Sequence, residues 1–196
     1  KKGKAGKVNV DAKFEAAYNT RTMTPEFADG YTYASLMNEG MTTRNMEPQY
    51  TPEELEILKL GLDPDLYPNV DWQELLLRDG AMTYRGQLSL SGGGNTARYF
   101  ISGSYLNEQG MYKVDENIKK DYDTNANSQL YNYRMNVDVD ITKTTLVKVG
   151  VSGSLRKMNE PGRAVNVWEA LMRQNPIEIP AMYSDGRFPT RGVDAD

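Results

Sequence analysis

The 196-residue sequence contains neither cysteine nor histidine. Without cysteine there are no disulfides and no thiolate metal ligands. Without histidine the Ser-His and Cys-His nucleophilic pairs disappear, together with the commonest zinc ligand. Enzymes that work through paired carboxylates survive this cut, but no convincing acid pair can be placed, so no catalytic residue is expected. No cofactor or metal is expected either. Long hydrophobic runs are also missing: nothing approaches the roughly eighteen apolar residues of a membrane-spanning helix. A mean hydropathy of −0.66 leaves a β-barrel open, because barrel strands give every second residue to a polar lumen. Positive charge is scarce. The net charge is −4, and no basic patch of the kind that grips phosphate backbones is present, so nucleic acid is not an expected partner. Phenylalanine is rare as well, four against thirteen tyrosines. Tyrosine's apolar ring and wet tip suit membrane interfaces and sugar-binding surfaces.

What the chain does have is strict alternation. Tyr131, Tyr133, Met135, Val137, Val139 and Ile141 share one face of a segment whose other face carries Asn132, Arg134, Asn136, Asp138 and Asp140. After Thr142-Lys143-Thr144 the pattern resumes, with Val147, Val149, Val151, Gly153 and Leu155 opposite Lys148, Ser152 and Ser154. Period two means β-strand. Each segment runs to about eleven residues, the length a tilted strand needs to cross a bilayer. Val8 to Tyr18 alternates in the same way, as do Tyr84 to Gly92 and Ala97 to Tyr105, although Phe100 and Leu106 interrupt the polar face of the last. Gly92-Gly93-Gly94-Asn95 lacks the Lys-Ser/Thr ending of a phosphate loop and reads as a turn.

The expected organisation is a lead-in over 1–7, a first strand over 8–18, a helical insertion over 19–83, four strands over 84–156 with a long loop at 107–130, and a loop over 157–196. Within the insertion, Thr51-Pro52-Glu53-Glu54 has the form of an N-cap, a first-position proline and early acids, and Gly61 is the stop. Phe27 to Met41, Trp72 to Arg78 and Val165 to Arg173 are further expected helices. Asp115, Glu116, Asp121 and Asp123 do not match the spacing of a calcium loop. Short turns therefore fall at one edge of the sheet and long excursions at the other, an asymmetry shown by outer-membrane barrels. A soluble β-sandwich or meander also alternates, and the pattern alone leaves both open.

Motifs narrow the choice. Asp71-Trp72, the run Gln87-Leu88-Ser89-Leu90-Ser91-Gly92-Gly93, and Ala97-Arg98-Tyr99-Phe100-Ile101-Ser102-Gly103-Ser104-Tyr105 through Gly110 resemble the SusC/RagA family of TonB-dependent outer-membrane transporters. Arg134, Asn136 and Asp138 resemble that family's R-x-N-x-D strand. Lys1 to Lys7 is similar to its plug-to-barrel junction, and Asn175-Pro176 through Gly186 to a later loop. The resemblance implies an all-β fold with a helical insertion: about five antiparallel transmembrane strands of a barrel of roughly twenty-two, with long extracellular loops. It implies import of a large nutrient, a glycan or else peptides, with a SusD-like lipoprotein capping the barrel and TonB acting through parts absent from this chain.

Two residue sets follow as expectations. Tyr133, Met135, Val137, Val139, Val147, Val149 and Val151 face outer-membrane lipid. Tyr31, Tyr33, Tyr50, Tyr67, Trp72 and Trp168 contact substrate or lid, against the alternative that they core the insertion's own helices. A soluble carbohydrate-binding module remains the other class of protein that would show the same tyrosines, alternation and acidity.

Overall fold

A computed structural model describes residues 3, 5–114, 121, 125–161 and 167–189. Two compact units emerge, one built from 1–22 and 78–162, the other from 23–77 and 163–196. The expected junction falls only partly within the described residues, and Asp115, Glu116 and Asp123 lie outside them.

The first unit is a five-stranded antiparallel meander in sequence order. Its strands are β1 (Gly6–Thr20), β2 (Gly80–Gly93), β3 (Ala97–Gln109), β4 (Asn127–Asp140) and β5 (Leu146–Asn159). β2 starts earlier and β5 ends later than the alternation indicates, and the loop expected at 107–130 narrows to 110–126. The added residues are mostly polar: Asn107 pairs with Gln129, and Gln109 with Asn127. A ladder needs only backbone N–H and C=O groups, so it outruns the apolar pattern from which its length was inferred. At the β2–β3 turn Gly93 holds φ +149°, and a Cβ there would run into the Ala97 carbonyl oxygen. Only glycine fits this conformation.

Register places like with like. Val10, Leu90, Ile101, Met135 and Val151 form one cross-strand row. Asp11, Ser89, Ser102, Arg134 and Ser152 form the neighbouring row on the opposite face. Each strand's alternation is thus in phase with the next, and the sheet has one apolar and one polar side. Phe100, which broke the polar pattern, is buried. Leu106, the other break, sits directly across from Leu130.

The second unit carries α1 (Gly30–Thr42), α2 (Pro52–Leu60), α3 (Trp72–Leu76) and α4 (Val167–Arg173). The helix expected from Phe27 starts only at Gly30, because Asp29 takes the N-cap and its carboxylate accepts from the Thr32 N–H at 2.7 Å. At α2 the expected start is realised as a reciprocal capping box. The Thr51 hydroxyl accepts from the Glu54 N–H at 3.2 Å, while Glu54 Oε2 accepts from the Thr51 N–H at 2.8 Å. Gly61 closes the helix in the left-handed conformation at φ 61°. Ala34, Leu58, Leu77 and Leu171 are this unit's buried apolar residues among those described.

The box makes a pH prediction. Hydrogen bonds from the Thr51 N–H, then from its hydroxyl, and a bond with the Tyr67 hydroxyl hold the Glu54 carboxyl below its ordinary 4.5. A depressed carboxyl contributes stability above its unfolded pKa and loses it as pH falls through the folded value. Amide exchange at the α2 N-terminus is therefore expected to quicken, relative to its intrinsic rate, below about pH 4. Glu54→Gln, which keeps an acceptor but does not titrate, is expected to remove that extra acceleration. Thr51→Ala is expected to cost about 1 kcal/mol near neutral pH, and less once the Glu54 carboxyl is protonated.

Candidate functional site

Two surfaces answer to the residues singled out in the sequence. The first is the apolar side of the sheet. Val137 lies opposite Val149, Val139 opposite Val147, Met135 opposite Val151, and Tyr133 opposite Gly153. All seven expected lipid-facing residues therefore share one contiguous patch on β4 and β5. The patch extends across the whole sheet through Ile101, Leu88, Leu90, Val10 and Phe14. It is uncovered: Val149 is 48% exposed, Tyr133 57% and Phe14 72%. Tyr133 lies flat over Gly153, whose hypothetical Cβ would come within 2.5 Å of the Tyr133 hydroxyl. The ring fills the gap that the glycine leaves in the patch.

The polar side is of opposite character. Gln87, Phe100, Ser102, Ser104, Asn132, Arg134, Ser152 and Ser154 are among the residues lining a shallow concavity of about 590 Å³. Near the short turns Arg98 forms an ion pair with Asp140 at 2.7 Å, and Asp138 lies across from Lys148. An uncovered apolar face behind a polar one is the reverse of a soluble β-sandwich, which buries its apolar faces.

The second surface belongs to the helical unit. Trp72 Nε1 donates to the Asn175 carbonyl oxygen at 3.1 Å, and the Asn175 amide donates to the Tyr33 hydroxyl at 3.3 Å. The Val70 N–H donates to the Pro176 carbonyl at 2.9 Å. Asn175 thus ties 23–77 to the chain's later segment, and Tyr33 and Trp72 meet on it. Tyr67 donates its hydroxyl to Glu54 Oε1 at 3.3 Å. The Tyr50 backbone exchanges two bonds with the Asn38 side chain, at 2.7 and 2.9 Å. Tyr31 carries the Lys59 ammonium 5.7 Å from its ring centre, a cation–π arrangement. Tyr31 and Trp168 are partly exposed. Five of the six candidate aromatics thus have partners within the unit.

Beside Trp72 lies a cavity of about 650 Å³ that the sequence did not reveal. Phe27, Asn69, Asp71, Gln174 and Pro176 line it. Several of its polar groups already serve the fold: Asn69 accepts from the Gly30 N–H at 2.8 Å, and Asp71 caps α3. The Thr32 hydroxyl and then its N–H hold the Asp29 carboxyl low, so it stays ionised at the rim. The one sequence signal for this cavity was the Asp71-Trp72 pair.

Among the described residues no group of three or more acidic side chains could hold a metal ion. No helix among them is long and apolar enough to cross a membrane, which bears on helices and not on strands.

No family model matches the chain. TonB-dependent receptor P3 of Formosa agariphila is 34% identical over 85 residues, covering 43% of this chain and 7% of the receptor. TonB-dependent receptor P26 of the same organism is 32% identical over 80 residues, 41% of this chain and 7% of the receptor. The chain therefore spans a small fraction of these relatives. In fold it is similar to the RagAB peptide transporter, with a TM-score of 0.59, 19% identity, and coverage of 81% of this chain and 19% of that one. The RagAB peptide importer in its open-open state gives a TM-score of 0.58 at 19% identity, over 98% of this chain and 23% of the other. These proteins are receptors and transporters. The chain is thus similar in sequence to TonB-dependent receptors and in fold to RagAB.

Proposed function

We propose that this chain is the early barrel part of an outer-membrane transporter that imports a large nutrient with energy supplied through TonB. One observation carries the reading: an uncovered apolar face runs in register across all five strands, backed by a polar one. In this reading Tyr133, Met135, Val137, Val139, Val147, Val149 and Val151 meet lipid, and the polar side lines the lumen. Residues 1–7 join the plug to the first strand, which rises from the periplasm. The long connections lie outside the cell, where a SusD-like lipoprotein caps the parent.

The first reading of the cargo is an oligosaccharide, with Tyr31, Tyr33, Tyr50, Tyr67, Trp72 and Trp168 as the residues able to stack on sugar rings or meet the lid. Peptide is the second reading, favoured by the fold neighbours being peptide transporters. Isothermal titration of the parent–lipoprotein complex with oligosaccharide and peptide pools separates them; heat from peptides alone would displace the first reading.

The barrel reading is tested on the chain itself. Produced without detergent, residues 1–196 are expected to aggregate, because an open sheet leaves unpaired backbone groups and an apolar face together. A soluble monomer with fixed near-ultraviolet aromatic circular dichroism would overturn it and favour a carbohydrate-binding module.

A further inference from the structure

Along the apolar face the chemistry changes with distance from the short turns. Closest to them Val139 faces Val147 and Val137 faces Val149, followed by Ile101, Met135 and Val151 in one row. Two rows further on, Phe14, Tyr105, Tyr131 and Leu155 lie level with one another, and Tyr105 and Tyr131 pack with ring centres 4.9 Å apart. On β3 to β5 the very next row holds Asn107, Gln129 and Lys157 on the same face, and beyond them stand Gln109, Asn127 and Asn159. On β1 and β2 the face stays apolar there, with Ala16 beside Tyr84 and Tyr18 beside Met82. Apart from Tyr99, which is level with Val137, the order on β3 to β5 is aliphatic, aromatic, then amide and charge.

Ring directions agree with that order. The Tyr131 hydroxyl donates to Gln129 Oε1 at 3.0 Å, so its tip points away from the aliphatic rows and into the amide row. Tyr18 is level with Met82 yet lies over Gly80, which sits further still toward the long connections. Strand length agrees as well. The strands hold 13 to 15 residues, whereas about nine to eleven suffice to cross. From Val139 to Tyr131 a strand rising about 3.3 Å per residue covers roughly 26 Å. At a tilt near 40° that is about 20 Å of height, most of the roughly 25 Å apolar band of a barrel.

We propose, resting on the barrel reading above, that along β3 to β5 the bilayer's hydrocarbon ends on the long-connection side at the row of Tyr105, Tyr131 and Leu155. The tyrosine tips sit at headgroup level, and the last four or so residues at the long-connection ends of β3, β4 and β5 stand clear of the hydrocarbon as a polar rim. The partner of this surface is thus layered: acyl chains for the valine rows, lipid headgroups for the tyrosine row, and water for the amides.

The test places single cysteines in the intact parent, freed of any other cysteine, at Met135, Val149, Leu155, Gln129 and Asn159. Each is spin-labelled, and the protein is folded into dimyristoylphosphatidylcholine vesicles. Collision with oxygen, which concentrates in acyl chains, is compared with collision with a water-soluble nickel chelate. The oxygen-to-nickel ratio is expected to be several-fold higher at Met135 and Val149 than at Gln129 and Asn159, with Leu155 between. Ratios at Gln129 and Asn159 equal to that at Met135 would overturn the boundary while leaving the barrel intact. Water-like ratios at Met135 and Val149 would overturn the barrel reading and the boundary with it.

Discussion

Replacing Val149 with arginine in the intact parent is expected to destabilise the folded, lipid-inserted state by about 2–4 kcal/mol. That amounts to about 1.5 to 3 powers of ten in the folding equilibrium. The size of the effect rests on what the exposed side chain meets. Val149 is 48% exposed and lies opposite Val137, one row in from the short-turn end of the apolar face, so the lower end of that range is expected. If water covered that face, arginine there would be harmless, within about 0.5 kcal/mol like other surface substitutions. If acyl chains cover it, the guanidinium must be carried into hydrocarbon or must drag water in with it. The same substitution is thus neutral in a soluble sheet and severe in a barrel. Lys148→Ala serves as the control: one residue away, on the other face and across from Asp138, it is expected to change stability by no more than about 0.5 kcal/mol. Denaturant titration of the parent refolded into vesicles measures both. Equal, small effects would remove the membrane reading of the apolar face.

The contrast between those neighbours was already visible in the sequence, because alternation depends only on the strand's period of two. The pairing of β4 with β5 followed from a short turn and two matching patterns. The capping box at Thr51 and Glu54 was equally legible, since both partners lie within one helical turn. Legibility failed where partners are distant or where the backbone acts alone. Nothing near Trp72 announces that its indole N–H finds the carbonyl of Asn175, 103 residues away. The later segment therefore read as a separate loop, although it joins 23–77 in one compact unit. The strand ends at Asn107, Gln109, Asn127 and Gln129 are polar and read as loop, yet their backbones complete the ladder. The cavity beside Trp72 was hidden for a similar reason: residues near 25, 70 and 175 line it, and no local pattern connects them. Of the candidate site, the exposed apolar patch was readable as one face of β4 and β5, and the aromatic set was readable only as residue types.

The helical unit offers the other large expected effect. Leu58 is only 3% exposed, on the inward side of α2, two residues from Leu60, which is 57% exposed. Leu58→Ala removes apolar surface and leaves a cavity, and is expected to cost about 2–5 kcal/mol of this unit's local stability. Leu60→Ala is expected to cost well under 1 kcal/mol, because nothing is uncovered that water did not already reach. Leu58→Met conserves volume and is expected to stay below about 1.5 kcal/mol. Amide hydrogen exchange in the intact parent reads this segment by segment: protection should fall in α2 and in α1, which packs against it, while β4 and β5 keep theirs. The consequence reaches the candidate aromatics. Tyr67 is held by Glu54 and Tyr31 lies under Lys59, both on α2, whereas Tyr33 and Trp72 are held through Asn175. Leu58→Ala should therefore disturb Tyr67, Tyr31 and, through α1, Tyr33, and spare Trp72. Cargo binding that survives Leu58→Ala but is lost in Trp72→Ala would assign recognition to Trp72; binding lost in Leu58→Ala and kept in Trp72→Ala would assign it to the aromatics of α1 and α2. Unchanged protection in α1 and α2 would mean that Leu58 does not hold them together.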